Sequence, residues 1–373
     1  FLLFSLPIFW VAVLLKQYLA IDFNDFLVTA KITPPWIVGL SAAAGFFWAA
    51  IFSGTRKRVI TIFVGVFIAN SIFLSFISAT EWLAYPRLGP IAIAILGVGI
   101  AFGVTYLSMG LSDKNALKTT LLMAMVGTIS YFPAQPILDS NRPRLGILAL
   151  FIVLLIVSVA GAFLFSRIDR GPIIRTSVIT SVLIGLLILL DKMLQAWRPF
   201  IESDDVNYRP VATIGQSTIW LSEVSFWVRV LDFAMHLILP TIALTLVSFA
   251  GYIRFSRGTL LDVMNQDYIR TARAKGLTER TVIMRHAFRN TMIPLTTIMV
   301  GDIAGIVGGA IITERVFAWQ GMGTLFNKAI NSFDLNLLMG VILFLSTLAI
   351  LANLIADLLY SVLDPRIRVG AGK

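Results

Sequence analysis

Few side chains in this sequence have the types and spacing that catalysis or metal binding requires. The 373 residues contain no cysteine, which excludes disulfides and thiolate metal sites. The two histidines, His236 and His286, are too far apart for a motif such as HExxH. No GxxxxGKS or GxxxxGKT phosphate loop is present, since Lys275 precedes Gly276 rather than following it. The sequence therefore predicts neither metal catalysis nor nucleotide hydrolysis by this chain.

Asp302 is the carboxylate best placed for a role inside an apolar segment. An ionised carboxyl at membrane depth is costly, so such a residue is a functional candidate by default. Two interpretations stay open: contact with a cation or a substrate amine, or a neutral or locally paired carboxyl. We expect Asp357, near the end of the last apolar run, to be structural.

The composition requires a membrane environment for these residues. Hydrophobic residues make up 58% of the chain, charged residues 13%, and the mean hydropathy is +0.88. The net charge of +10 does not by itself indicate nucleic acid, because membrane proteins collect basic residues in cytoplasmic loops. The sequence predicts an integral membrane protein with no nucleic-acid partner.

About ten continuous apolar runs are long enough to cross a bilayer core as helices. Their continuity excludes the short alternating strands of a β-barrel. The predicted fold class is an all-α, polytopic transmembrane helical bundle. The chain begins inside an apolar run without Met, so we expect residues to precede it and treat the span count as a minimum. The runs are residues 1–21, 36–53, 58–79, 88–111, 116–135, 146–166, 173–194, 235–255, 291–313 and 337–362.

Charge bias predicts the orientation. Residues 251–290 hold eight basic residues against three acidic ones, which places this segment in the cytoplasm. Counting spans from there puts residues 136–145 and 195–234 outside and the C-terminus inside. A multi-pass protein of a bacterial or archaeal cytoplasmic membrane, with a cytoplasmic C-terminus, is the resulting prediction.

Residues 259–290 divide at Gly276 into two stretches with helical periodicity. Gly276 suits a tight turn because glycine reaches positive φ at little cost, and Thr278 can cap the second helix. The pattern predicts a helix, a turn and a second helix. A solvated basic loop near anionic headgroups and a docking element for a cytosolic partner are both compatible with it. The apolar positions are Leu260, Leu261, Met264, Tyr268 and Ala272 before the turn, and Val282, Ile283, Met284 and Ala287 after it.

The run YIRTARAKGL, residues 268–277, resembles the EAA loop of ABC importer permeases, in the form of the dipeptide and oligopeptide permease family, B-type subunit. The resemblance covers residues 1–20 and 225–368. Glu-Ala-Ala of the general motif is Arg270-Thr271-Ala272 here, and its later Leu-Pro is Phe288-Arg289. The chain also departs from the usual six spans by an insert of about six. Five further stretches agree in order: residues 4–15 (FSLPIFWVAVLL), 254–261 (RFSRGTLL), 285–294 (RHAFRNTMIP), 314–323 (ERVFAWQGMG) and 364–368 (DPRIR).

The resemblance implies a domain organisation. Residues 1–21 would be the first visible family span, and 22–195 an inserted, loop-poor helical region that we expect to be lipid-facing scaffold away from the pathway. Residues 196–234 would be an external loop with an amphipathic segment. The core permease domain would be 235–368, including a coupling loop at 256–290, followed by a tail at 369–373. The first two family spans and their outer loop would precede Phe1.

The resemblance also implies partners. ATP and Mg would be bound by two cytosolic ATPase subunits, a second permease subunit would complete the pathway, and an extracytoplasmic binding protein would deliver the substrate. This chain itself would bind no cofactor. Gly276 would shape the turn, Ala272 and Leu277 would pack, and charged residues would set the register with the ATPase. The predicted coupling residues are Arg270, Thr271, Ala272, Arg273, Gly276, Leu277, Thr278 and Arg280.

The ninth apolar run and the loop after it supply the remaining candidates. Gly301, Gly305 and Gly309 form a small-residue stripe that would pack within the subunit or meet the partner permease. The aromatic and acidic residues after this run would face the binding protein, act in gating, or form an interfacial belt. Pro240 and Pro294 are compatible with kinks used in gating or in passive packing. The candidates in the loop are Glu314, Phe317, Trp319, Gly321 and Gly323.

Other substrates and two other function classes are alternatives to a peptide importer. Oligosaccharides, nickel complexes and opines are alternative substrates within the same family. A secondary transporter driven by an ion gradient through Asp302 would leave the basic hairpin unexplained. A membrane-embedded enzyme lacks a cluster of catalytic side chains.

The orientation can be tested with single cysteines, because the chain has none of its own. We expect Ser203→Cys to react with an impermeant thiol reagent in intact cells, and Thr278→Cys to react only after permeabilisation, since charge bias places position 278 inside. Labelling of position 278 but not position 203 in intact cells would invert the topology.

Overall fold

The structure, a computed structural model, describes residues 5–52, 54–165, 170–219, 221 and 225–363. All regular elements in these residues are helical, which confirms the predicted all-α class. The motif at 364–368, the tail and residues 1–4 lie outside the described residues. The helices are α1 (Ile8–Leu15), α2 (Phe23–Leu27), α3 (Pro34–Ile51), α4 (Arg56–Ala79), α5 (Gly89–Ser108), α6 (Lys114–Leu138), α7 (Pro143–Phe165), α8 (Arg170–Gln195), α9 (Trp197–Ile201), α10 (Phe226–Met264), α11 (Asp267–Ala274), α12 (Glu279–Thr281), α13 (Phe288–Gly308), α14 (Ile311–Val316), α15 (Met322–Asn331) and α16 (Leu335–Leu363).

Nine helices in the described part of the chain are long and apolar enough to cross a membrane, and they match the second to tenth predicted spans. They are centred on α3 to α8, α10, α13 and α16. The first predicted span, residues 1–21, is not one regular α-helix in its described part. There α1 continues into a π-helical stretch, Lys16–Asp22, and then into α2.

The chain forms two compact units. The first contains the described residues of 1–24, 211–218 and 233–363, and the second those of 25–210 and 219–232. In the first unit α13 packs along α16 through Val300, Ala352 and Ala356. A second core of this unit joins α1 to α10 around the buried ring of Phe317.

In the second unit α3 pairs with α4, and α5 to α8 form a bundle in which α6 contacts the other three helices. Small side chains allow these helices to pack closely. On α5, Gly97, Ala101 and Thr105 are buried at four-residue spacing, so one helix face lies against its neighbours. The Thr105 and Thr120 hydroxyls are 2.8 Å apart and satisfy each other between α5 and α6.

A buried carboxylate holds one end of this bundle together. Asp191 of α8 is 1% exposed and accepts hydrogen bonds from the backbone N–H groups of Leu88 and Gly89, at 2.8 and 3.0 Å. Its second oxygen accepts from the Tyr131 hydroxyl and the Gln195 amide, both at 2.8 Å. One side chain thereby joins α8 to α6 and to the start of α5.

Lys192, next in the chain, is 7% exposed and extends the same network. Its ammonium lies 2.7 Å from an Asp139 oxygen and 3.1 Å from the side-chain oxygens of Gln135 and Gln195. The buried cation therefore has a paired charge and two neutral acceptors, as burial of a charge requires.

The Asp191 network predicts a large effect of removing its acceptor. Asp191→Leu leaves four donors without their partner, and each unmet donor costs about 1 to 3 kcal/mol. We expect the variant to lose at least about 3 kcal/mol of stability, seen as a lower midpoint of thermal unfolding in detergent. Asp205→Leu, at an exposed position, is the control and should leave the midpoint nearly unchanged. Equal midpoints for the two variants would show that the network does not stabilise the fold.

Candidate coupling site

Residues 265–290, here called the coupling hairpin, begin where α10 ends at Met264. The N–H groups of Asn265 and Gln266 bond to carbonyls of the last α10 turn, and Gln266 is extended, with ψ 150°. This break separates α10 from α11. The single helix predicted before Gly276 is therefore wrong in this detail, because periodicity continues across a break that changes helix direction.

The turn at Gly276 has the geometry of a Schellman motif. Gly276 takes φ +74°, as predicted, and its N–H donates to the Arg273 carbonyl at 2.9 Å. The Leu277 N–H donates back to the Ala272 carbonyl at 3.4 Å. A Cβ on Gly276 would meet no atom within 4 Å. The left-handed backbone, rather than crowding, therefore favours glycine here.

Two polar contacts fix the chain after the turn. The Thr278 hydroxyl accepts from the Thr281 N–H at 3.4 Å and so caps α12, as predicted. Arg273 of α11 makes a bidentate ion pair with Glu279, with N–O distances of 2.7 and 3.2 Å. Their hydrogen bond lowers the pKa of Glu279. The pair therefore stabilises the hairpin at neutral pH, and this contribution is lost as the pH falls through the lowered pKa.

The inner face of the coupling hairpin is a small apolar core. Ile269 and Ala272 of α11 are buried against Val282 and Ala287, which lie in the π-helical stretch Val282–Ala287 leading into α13. The end of α10 closes this core with Leu260, Val263 and Met264. The core joins α11 to the ends of two spans, so the hairpin is continuous with α10 and α13.

The outer face of the hairpin carries most of the remaining predicted coupling residues. Arg270, with 72% of its side chain accessible, lies there with Thr271 and Leu277. Leu277 is 40% exposed and faces outward, whereas Ala272 is buried within the hairpin. Tyr268 and Met284 are also exposed on the hairpin. The side chains of Arg280, Arg285 and Arg289 lie outside the described part.

Asp302 is half-buried on α13 and has a local partner. Its carboxylate interacts with the hydroxyl of Tyr252 on α10. Both residues line a cavity of about 690 Å³ between α10 and α13, whose other polar lining residues are Ser248, Arg254, Thr259 and Asp262. The predicted pathway candidate thus lies in a polar cavity formed by the two spans that the hairpin joins.

The glycine stripe is shorter than the sequence suggested. Gly301 and Gly305 lie on α13, and a Cβ on either would meet no atom within 4 Å. Gly309 lies beyond the helix, with φ +112°, and a Cβ there would be 2.3 Å from the Gly323 backbone nitrogen. Gly309 is therefore a site of close backbone approach, and Gly301 and Gly305 contact no neighbouring helix in the described chain.

Glu314 is buried and caps α15. Its carboxylate accepts from the N–H and hydroxyl of Thr324, at 2.7 and 2.9 Å, and from the Gly323 N–H at 3.3 Å. These are free donors of the first helical turn, where a negative charge is also favourable. A Cβ on Gly321 would lie 2.5 Å from the same carboxylate. Trp319 is half-buried against Phe233, with ring centroids 5.5 Å apart.

Sequence patterns did not reveal the roles of three charged residues in these units. Lys16 of the first unit donates to the Val316 carbonyl and lies 5.3 Å from the Phe317 ring centroid. Asp191 and Lys192 in the second unit stand at the end of an apolar run, where charges usually mark a loop. Only the intramembrane position of Lys16, near the end of the first run, could have suggested its role.

These features define a class, the polytopic helical membrane protein with a structured hairpin between two of its spans. Residues 176–369, just over half of the chain, match the family described as binding-protein-dependent transport system inner membrane component. The chain belongs to this family and is a multi-pass inner-membrane protein. The matched region starts within α8 and includes the coupling hairpin and the Asp302 cavity.

Curated relatives match part of the sequence. The oligopeptide transport system permease protein OppB of Mycobacterium bovis is 43% identical over 143 residues, 38% of this chain and 44% of the relative. The dipeptide transport system permease protein DppB of Escherichia coli K12 is 40% identical over 165 residues, covering 44% and 48%. AppB of Bacillus subtilis, an oligopeptide permease protein, is 42% identical over 139 residues, covering 37% and 44%. The chain thus spans about half the length of the curated relatives it matches.

The Glu314 cap predicts a coupled pair of substitutions. Gly321→Ala places a methyl group against the Glu314 carboxylate and should destabilise the protein, as should Glu314→Ala, which removes the cap at a cost of about 1 to 2 kcal/mol. In the double variant the penalty of Gly321→Ala should largely disappear, because the opposing carboxylate is gone. Thermal unfolding of the four proteins measures this, and additive losses would contradict the contact.

Proposed function

We propose that this chain is a permease subunit of an ATP-driven, binding-protein-dependent importer of dipeptides or oligopeptides. The observation that carries the proposal is the coupling hairpin, whose outer face is accessible while its inner face is packed on two membrane spans. The peptide substrate is supported by relatives named as oligopeptide and dipeptide permeases. Its partners would be a second permease, two cytosolic ATPases that bind ATP and Mg, and an extracytoplasmic binding protein.

The hairpin can transmit force because its parts are held as one body. The Arg273–Glu279 pair crosses the turn, and Asn290 at the start of α13 donates to the Tyr268 hydroxyl of α11 at 2.7 Å. Closure of an ATPase against the outer face would therefore move α11 with the ends of α10 and α13 rather than bend the turn. Exposed Arg270 and Leu277 would provide charge and apolar contact for docking.

The cavity between α10 and α13 would respond to that movement. A shift of either helix changes the separation of Tyr252 and Asp302, which lie on opposite walls. Such a change could expose the carboxylate to the amine of a peptide in one state and pair it with tyrosine in the other. Hydrolysis itself belongs to the partners, so purified alone this chain should turn over no ATP.

An ion-coupled secondary transporter using Asp302 is the second candidate. The Asp302 cavity favours it, because a carboxylate in a polar intramembrane cavity suits cation binding. It assigns no role to the accessible hairpin face. Uptake driven by an ion gradient in vesicles that lack the ATPases would support this alternative over the importer.

Gly276→Val tests the coupling role. The valine should cost about 1 to 2 kcal/mol in the left-handed turn and change the angle between α11 and the chain that follows. The spans do not depend on this turn, so we expect normal insertion, weak copurification of the ATPase, and uptake of a labelled tripeptide reduced at least tenfold in reconstituted vesicles with all partners.

Gly171→Val is the matched control, since Gly171 lies in a helix with ordinary φ and open space around its Cβ position. It should retain ATPase binding and uptake. Wild-type copurification, binding-protein-stimulated hydrolysis and uptake in Gly276→Val would assign the coupling surface to another part of the chain. If the importer took up a sugar with normal coupling to hydrolysis but did not take up a peptide, only the proposed substrate would be wrong.

A further inference from the structure

The second unit contains an apolar cavity that has no part in the function proposed above. It has a volume of about 200 Å³ and lies between α6, α7 and α8. Its lining is almost entirely aliphatic, and small residues at Gly127, Ala134 and Gly185 leave the space open. Phe151 and Leu186, which line it, are each about half exposed on the apolar surface of the helices. The cavity is therefore accessible from the hydrocarbon of a bilayer.

A second pocket, here called the arginine pocket, adjoins one end of this cavity. It has a volume of about 610 Å³ and is formed by the turn between α6 and α7 and by the start of α10. Three arginines line it: Arg142, Arg144 and Arg229. Leu138 lines both spaces, and the Trp227 indole donates to its carbonyl at 2.9 Å, which fixes the junction.

The positive charge of the arginine pocket is not neutralised by the described part of the chain. None of its three arginines has an ion pair with a described residue, and Arg144 lies over the Phe226 ring at 5.9 Å. The carboxylate in the pocket, Asp139, is already 2.7 Å from the Lys192 ammonium. Charge bias also places this end of the bundle outside, where arginine is normally less frequent. The three arginines, all exposed, therefore give this pocket a positive charge that an anion would complement.

The apolar cavity and the arginine pocket together fit an amphiphilic ligand. Guanidinium groups match the geometry of a phosphate, and an apolar cavity open to the bilayer suits a hydrocarbon chain. We propose that the second unit binds an anionic phospholipid, with its phosphate in the arginine pocket and part of one acyl chain in the apolar cavity. The lipid would lie along α6 and α7 and join the start of α10 to the inserted helices.

Competition between lipids tests the proposal on the purified protein. Native mass spectrometry in detergent would measure retention of phosphatidylglycerol and phosphatidylcholine with identical chains, supplied in equal amounts. We expect a preference for phosphatidylglycerol of at least about tenfold, because its headgroup carries a net negative charge that the arginines attract and phosphatidylcholine has no net charge. The triple variant Arg142→Gln, Arg144→Gln, Arg229→Gln should lose this preference.

Arg56→Gln, Lys57→Gln and Arg58→Gln, made together, remove the same charge from exposed positions at the start of α4 and should retain the preference. Val157→Phe narrows the apolar cavity without changing charge, and it should reduce retention of both lipids severalfold. Equal binding of the two lipids by the wild-type protein, or an unchanged preference in the arginine variant, would overturn the proposal. Competition by soluble glycerol phosphate as effective as that by the lipid would show a site for a free anion instead.

Discussion

The constraint on which this structure depends is the absence of water in the hydrocarbon core, where each peptide group needs a partner from the protein itself. Helices meet this need locally, and long apolar helices account for the nine candidate spans of the described chain. The same constraint acts on side chains. Hydroxyls pair between α5 and α6, and the Asp191 carboxylate accepts four hydrogen bonds from neutral donors.

Irregular backbone occurs where its polar groups can be satisfied at helix ends. At Gly276 the turn returns two N–H groups to carbonyls of α11, so the chain reverses without leaving the last turn unpaired. Before α15, Glu314 provides the acceptors that the first turn lacks. The turn at Gly276 uses backbone groups and a glycine. The start of α15 uses the buried Glu314 carboxylate, which leaves no room for a side chain at Gly321. Both hold a short segment in a fixed conformation.

The two units use their polar residues differently. In the first unit the polar groups of α10 and α13 line a cavity, and the connecting hairpin exposes charge at its surface. In the second unit the polar residues at the end of α8 satisfy one another in a closed network. Among the described residues, that network leaves the neighbouring arginines without a paired carboxylate, since Asp139 is paired with Lys192. A structural network can in this way create the charge imbalance of a binding site.

The sequence by itself determined the helical class, nine of the spans, the turn at Gly276 and the cap at Thr278, because each depends on residues within a few positions of one another. Only the tertiary structure decided that Asp191 and Lys192 are buried, since adjacent charges at the end of an apolar run equally predict a loop. It also decided that Leu277 is exposed, that Gly309 lies beyond α13, and that Glu314 caps α15. These outcomes depend on which residues from distant parts of the chain come into contact. Helical periodicity carries no information about the partner that a helix face will meet.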